Sequence, residues 1–84
     1  MASVKWSEEA LDSLATLDPF VREQVLTKVS WLGGNFGVIV REKLHGELKN
    51  AYKLRVGNYR VIYSVQLRDS IIIELVGHRS TIYK

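Results

Sequence analysis

The segment LRVGNYR, residues 54–60, contains two arginines whose spacing is suited to binding a phosphate group. Gly57 and Asn58 form a two-residue turn signal between apolar-alternating segments, and cross-strand partners then step outward one by one. This register predicts that Arg55 faces Arg60 directly. Facing like charges destabilise a strand pair, whereas a bound anion would relieve their repulsion. Because guanidinium groups bind phosphate oxygens in a bidentate way, the pattern indicates a phosphate site.

Other polar side chains can join these two arginines. The candidate site residues are Lys53, Arg55, Arg60, His78, Arg79 and Tyr83. The first three share one face of the hairpin by alternation, and the other three follow the neighbouring strand. Together, cations of this kind would stabilise the negative charge that develops on a phosphorus centre under attack. The alternative is that they form a solvated surface, or one that an acidic segment of a partner covers.

The positive charge belongs to the second half of the chain. Residues 1–40 carry three Lys/Arg against five acids, and residues 41–84 carry nine against four. Such a concentration favours a polyanion or an acidic protein as the partner. The sequence has no Gly-rich phosphate loop, no HExxH motif, no His/Cys ligand set and no nucleophile elbow. We therefore expect a reaction that needs neither a metal ion nor a cofactor.

The 84 residues predict a single domain, residues 1–84. The sequence contains no cysteine, no recognisable signal peptide and no apolar run long enough for a membrane span. These features predict a cytoplasmic protein without a membrane partner.

The spacing of apolar and capping residues predicts an α+β fold, in which a two-helix hairpin packs on one face of a mainly antiparallel sheet. The predicted elements are a strand at 4–6, helices capped by Ser7 and Asp18, a possible short strand at 38–40, and strands at 52–56, 59–65 and 71–76. In the last strand, alternation turns Ile71, Ile73 and Leu75 toward the helices and leaves Glu74 and Val76 beside the cations. The order is β-α-α-β-β-β.

Two segments, YKLRVGNYRVIYSV (residues 52–65) and IIIELVGHRSTIYK (residues 71–84), closely resemble the RelE/ParE toxin superfamily of type II toxin-antitoxin systems. The resemblance covers nearly the whole chain and implies the RelE-like fold. Members similar to RelE are metal-independent endoribonucleases that cut messenger RNA, usually in the ribosomal A site, until an antitoxin protein silences them. In the branch similar to ParE, which poisons DNA gyrase, the set of basic and tyrosine residues is typically incomplete.

The resemblance also implies roles for individual residues. Lys53 and Arg55 match the basic residues of the second strand, Arg60 the arginine of the YR motif, Arg79 the arginine after the last strand and Tyr83 the C-terminal tyrosine. The implied reaction is attack of a 2'-hydroxyl on its own 3'-phosphate, which yields a 2',3'-cyclic phosphate. His78 is a rival candidate for the acid or base, because imidazole titrates closer to neutrality than phenol or guanidinium. A gyrase inhibitor and an inactive antitoxin-binding homologue are the alternative functions.

Overall fold

The computed structural model describes residues 2–43, 50–67 and 69–82. The elements, in chain order, are β1 (Ser3–Trp6), α1 (Glu8–Thr16), α2 (Pro19–Gly34), β2 (Glu42–Lys43), β3 (Ala51–Val56), β4 (Tyr59–Gln66) and β5 (Ser70–His78). The strands form one sheet in the order β1-β5-β4-β3-β2. β1 runs parallel to β5, and the other neighbouring pairs are antiparallel. The predicted α+β architecture is confirmed.

Both helices begin where capping residues predict them to begin. The Ser7 hydroxyl accepts the N–H of Ala10 at 3.0 Å, and the Asp18 carboxylate accepts the N–H of Phe20 at 2.9 Å. Each cap satisfies a backbone donor that has no partner within the helix. The Ser7 hydroxyl also donates to the carbonyl of Glu74 at 2.9 Å, which ties the start of α1 to β5.

The core lies between the helices and one face of the sheet. Its fully buried side chains include Val25 and Leu32 from α2, and Val61, Ile71 and Ile73 from the two central strands. Helix α1 packs on β5 and α2 packs on β3, so both helices cover the same face. Neither helix in the described ranges has the length and apolar character that a membrane span requires.

Two local predictions are wrong. Residues 38–40 form turn and irregular backbone, and the short edge strand lies at Glu42–Lys43 instead. In β5, the register shifts so that Leu75 pairs with Ile62 while Ile73 pairs with Tyr63, which leaves Glu74 as the extra residue of a β-bulge. The bulge reverses the alternation beyond it. Val76 therefore joins the core, and Leu75 lies on the other face.

Arg22 joins the two helices through the carboxyl end of α1. Its guanidinium donates to the carbonyls of Leu14, Ala15 and Leu17 at 3.0 to 3.3 Å. These carbonyls carry the partial negative charge of a helix C-terminus, which a cation stabilises.

We expect Arg22→Ala to lower the free energy of unfolding by about 1–2 kcal/mol, because it removes three charge-assisted hydrogen bonds, two of which are partly buried. Urea denaturation followed by circular dichroism measures the change. The control is Lys5→Ala, which removes an exposed cation from β1 and should cost less than about 0.5 kcal/mol. Equal stability of the two variants would show that Arg22 does not hold the helices together.

Candidate active site

The β3–β4 hairpin has the predicted register. Val56 pairs with Tyr59 and Arg55 pairs with Arg60, so the two arginines face each other. Of the two central turn residues, Gly57 alone has a positive φ, at 58°. Glycine adopts this conformation without the steric cost of a side chain, as the first position of a type II′ turn requires. The turn chemistry therefore brings two like charges together.

Each facing arginine is held by negatively charged or polar oxygen atoms. The Arg55 Nη2 donates to the Glu42 carboxylate at 3.0 Å. The Arg60 Nη1 donates to the carbonyls of Gly57 and Tyr59, both at 2.8 Å. The two guanidinium groups thus make their contacts in different directions, one toward β2 and the other toward the turn. This arrangement reduces the repulsion that the register creates.

Glu42 joins two of the predicted phosphate-binding cations. Its partner across the β2–β3 pair is Lys53, and the same carboxylate oxygen, Oε2, lies 3.0 Å from both the Lys53 Nζ and the Arg55 Nη2. The hydrogen bonds from Arg55 and then Lys53 hold the pKa of Glu42 below its ordinary range. No sequence motif marked Glu42, because its role depends on which strand β2 pairs with.

The segment after β5 folds back against the hairpin turn. The Arg79 N–H donates to the Asn58 carbonyl at 2.8 Å. Thr81 and Ile82 donate their N–H groups to the His78 carbonyl, each at 3.0 Å. The contact with Asn58 places the backbone of Arg79 beside the hairpin turn, two residues before Arg60 in the chain.

Gly77 lies on the face of the sheet that Arg60 occupies and contacts Ile82 of the following turn. It pairs with Arg60 across β4 and β5. A Cβ atom at Gly77 would lie 3.4 Å from the Cβ of Ile82, at the limit of ordinary contact. Ile82 therefore packs against Gly77 on this face of the sheet.

His78 lies on the opposite face from Arg60. It pairs with Tyr59, and its ring meets the Tyr59 ring edge-on at 5.3 Å. The Ser80 N–H donates to the His78 Nδ1 at 3.1 Å, so the neutral imidazole carries its proton on Nε2. The β5 bulge causes this placement, because it exchanges the faces of all the residues of β5 that follow it.

The structure places four of the six candidate residues along the hairpin, in two separate pairs. Lys53 and Arg55 meet at Glu42, while Arg60 and the backbone of Arg79 lie at the turn. His78 is close in sequence but belongs to the other face. Tyr83 lies outside the described residues, so its role stays a prediction. Within the described ranges, no three His, Asp or Glu residues group as ligands for a metal ion.

The aromatic residues of the hairpin serve packing. The rings of Tyr52 and Tyr63 stack with their centroids 5.6 Å apart, and Tyr63 is 1% exposed. Burial raises the pKa of Tyr63. A nucleobase therefore cannot stack on the ring of Tyr63.

Replacing Arg55 by alanine should raise the pKa of Glu42 toward its ordinary range, because Arg55 contributes the largest part of the shift. A carbon-detected NMR titration of the Glu42 carboxyl measures this change, with Lys5→Ala as the control. The lowered pKa of Glu42 also determines how the contribution of its ion pairs to folding stability depends on pH. The ion pairs stabilise the fold above the pKa of the unfolded carboxyl, and this contribution is lost as the pH falls through the lower folded-state pKa. An unchanged pKa in Arg55→Ala would contradict the assigned contact.

Comparison with known proteins agrees with this architecture. A family model described as the ParE toxin of the type II toxin-antitoxin system parDE matches residues 4–83. The RelBE2 toxin-antitoxin complex of Mycobacterium tuberculosis contains a similar chain, with 25% identity and a TM-score of 0.80 over 93% of this chain and 98% of that one. The isolated RelE toxin of Escherichia coli is also similar, with 25% identity and a TM-score of 0.76 over 99% and 92% of the two chains.

An archaeal RelE from a RelE–RelB complex of Pyrococcus horikoshii is 26% identical, with a TM-score of 0.73 over 95% of this chain and 97% of that one. No curated protein sequence matches the chain. The family model spans nearly all of the sequence, and the solved toxins share its fold. The chain therefore belongs to the ParE toxin family of the RelE/ParE superfamily, the toxins of type II toxin-antitoxin systems.

Proposed function

We propose that this toxin is a metal-independent endoribonuclease that cuts messenger RNA during translation. The observation that supports this proposal is the set of four cations that lie along the β3–β4 hairpin and directly after β5. Lys53 and Arg55 converge on one carboxylate oxygen, and Arg60 and Arg79 belong to the adjoining turn region. Cations that already hold an anionic oxygen at 3.0 Å can hold a phosphate oxygen in the same way.

The proposed reaction is a substitution at phosphorus that requires a base, an acid and cations that stabilise negative charge. The 2'-oxygen forms a bond to the adjacent phosphorus, while the bond from phosphorus to the 5'-oxygen breaks. A base takes the proton of the 2'-hydroxyl, and an acid protonates the leaving 5'-oxygen. The products are a 2',3'-cyclic phosphate and a free 5'-hydroxyl. Lys53, Arg55 and Arg60 stabilise the extra negative charge on the phosphoryl oxygens.

We assign the proton transfers to residues at the end of β5 and in the segment after it. Tyr83 is proposed as the base or as a surface on which a nucleobase stacks, and Arg79 as the group that neutralises the leaving oxygen. His78 is the weaker candidate, because its Nδ1 already accepts a hydrogen bond and its ring lies with Tyr59 on the opposite face from Arg60. To reach the phosphate, the imidazole would have to leave both contacts.

The proposed setting is the cytoplasm, with translated messenger RNA in the ribosomal A site as the substrate. The proposed protein partner is a cognate antitoxin with an acidic or amphipathic segment. RelE proteins with this fold occur in solved complexes with the RelB antitoxin. The charge of +3 and its concentration after residue 40 support an acidic partner.

A second candidate function is inhibition of DNA gyrase without cleavage of RNA. The matching family model carries the ParE description. The family resemblance implies, however, that the set of basic and tyrosine residues is typically incomplete in the gyrase-poisoning branch. All four cations of the proposed nuclease site are present in this chain. This completeness is the reason that we favour the ribonuclease.

Arg60→Ala should reduce RNA cleavage by at least about 100-fold, which is typical when one stabilising donor is removed from a transition state. The fold should persist, since the variant loses only two hydrogen bonds to backbone carbonyls, one exposed and one partly buried, about 1 kcal/mol. Arg60→Lys keeps the charge but loses the planar fork, so we expect intermediate activity. The measurement is the mapping of new 5' ends on messenger RNA after induction in bacteria without antitoxin.

Lys5→Ala is the matched control, because it removes a cation from β1, at the opposite edge of the sheet from β2. Cleavage within translated codons by wild type and by this control, but not by Arg60→Ala, supports the ribonuclease. DNA damage with intact messenger RNA would favour gyrase as the target. If induction of the wild type did not arrest growth, the result would favour the third alternative, an inactive homologue that only binds an antitoxin.

A further inference from the structure

Glu42 places a carboxylate oxygen where two of the proposed phosphate-binding cations converge. One atom, Oε2, lies 3.0 Å from both the Lys53 Nζ and the Arg55 Nη2. Charge-assisted hydrogen bonds to a phosphate oxygen have the same length and need the same donors. We propose that Glu42 occupies an anion subsite of this protein and competes with the incoming phosphate, so that it sets the affinity for the RNA backbone. This inference rests on the proposed ribonuclease function for its substrate, though not for the anion subsite itself.

The contact is accessible and therefore open to competition. The side chain of Glu42 is 42% exposed, and those of Lys53 and Arg55 are 25% and 62% exposed. All three line an open cleft together with Lys28 and Trp31 of α2. An anion can reach the cations from solvent without opening the core.

Glu42 is also held weakly enough to be displaced. Among the residues that the structure describes, it belongs to a two-residue strand at the edge of the sheet, with two residue pairs joining that strand to β3. Ion pairs between exposed side chains change an equilibrium constant by a factor of at most about five and weaken as salt is added. A nucleic acid offers several neighbouring phosphates at once, and the release of its condensed counterions adds to binding.

A positioning role would have the opposite consequence. If Glu42 instead held Lys53 and Arg55 in the geometry that phosphate needs, removing its charge would weaken binding. Competition predicts that removing the charge strengthens binding. The sign of the change therefore separates the two roles.

The test compares Glu42→Gln with Asp12→Asn. Both substitutions remove one negative charge and keep the shape of the side chain, but Asp12 lies on α1, which packs on β5 rather than on β3. Two probes are titrated against each variant by fluorescence anisotropy or NMR. One is a 2'-O-methyl RNA oligonucleotide, which cannot be cleaved because it has no free 2'-hydroxyl. The other is inorganic pyrophosphate, which tests the anion subsite without RNA.

We expect Glu42→Gln to bind both probes about two- to fivefold more tightly than Asp12→Asn at low salt. Its affinity for the oligonucleotide should also fall more steeply with salt, since about one additional phosphate contact changes the logarithmic slope by roughly −0.7. Pyrophosphate affinities that are equal in the two variants, or lower in Glu42→Gln, would overturn the inference.

The two probes distinguish failure of this inference from failure of the proposed function. Tighter binding of pyrophosphate by Glu42→Gln, with no oligonucleotide binding by any variant, would support the anion subsite and refute RNA as its ligand. Oligonucleotide binding that Arg60→Ala weakens but Glu42→Gln leaves at the Asp12→Asn value would support the ribonuclease site and refute competition by Glu42.

Discussion

The register of the β3–β4 hairpin is the constraint on which the rest of the site depends. Side chains alternate between the two faces of a strand, so a shift of one residue would exchange the core face and the solvent face. The Gly57–Asn58 turn sets that register, and Leu54 and Val61 then meet in the core while Arg55 and Arg60 meet outside it. The apolar core and the cationic group are thus two results of the same pairing.

The facing arginines are a local electrostatic conflict within an otherwise consistent fold. Turn chemistry, alternation and burial all favour the hairpin, whereas the Arg55–Arg60 pair opposes it. Hydrogen bonds to oxygen atoms reduce this cost. Arg55 donates to the Glu42 carboxylate, and Arg60 donates to the carbonyls of Gly57 and Tyr59. Positions where a local rule is broken in this way are often functional sites in proteins.

The bulge at Glu74 divides β5 into two parts with different surroundings. Before it, Ile71 and Ile73 face the core, and the Ser7 hydroxyl at the start of α1 is anchored to the Glu74 carbonyl. Beyond the bulge the alternation is reversed, so His78 lies beside Tyr59. The segment that follows β5 begins beside the hairpin turn, where the Arg79 N–H donates to the Asn58 carbonyl.

By itself the sequence determined the fold class, both helix starts and the hairpin register, because caps, turn residues and alternation act between neighbours in the chain. It also marked Lys53, Arg55 and Arg60 as a group. Only the tertiary structure decided that Glu42 meets Arg55, 13 positions away, and that His78 faces away from Arg60. Both outcomes depend on long-range strand pairing, β2 with β3 and the bulged β5 with β4, and no local pattern in the sequence encodes which residues such pairing joins.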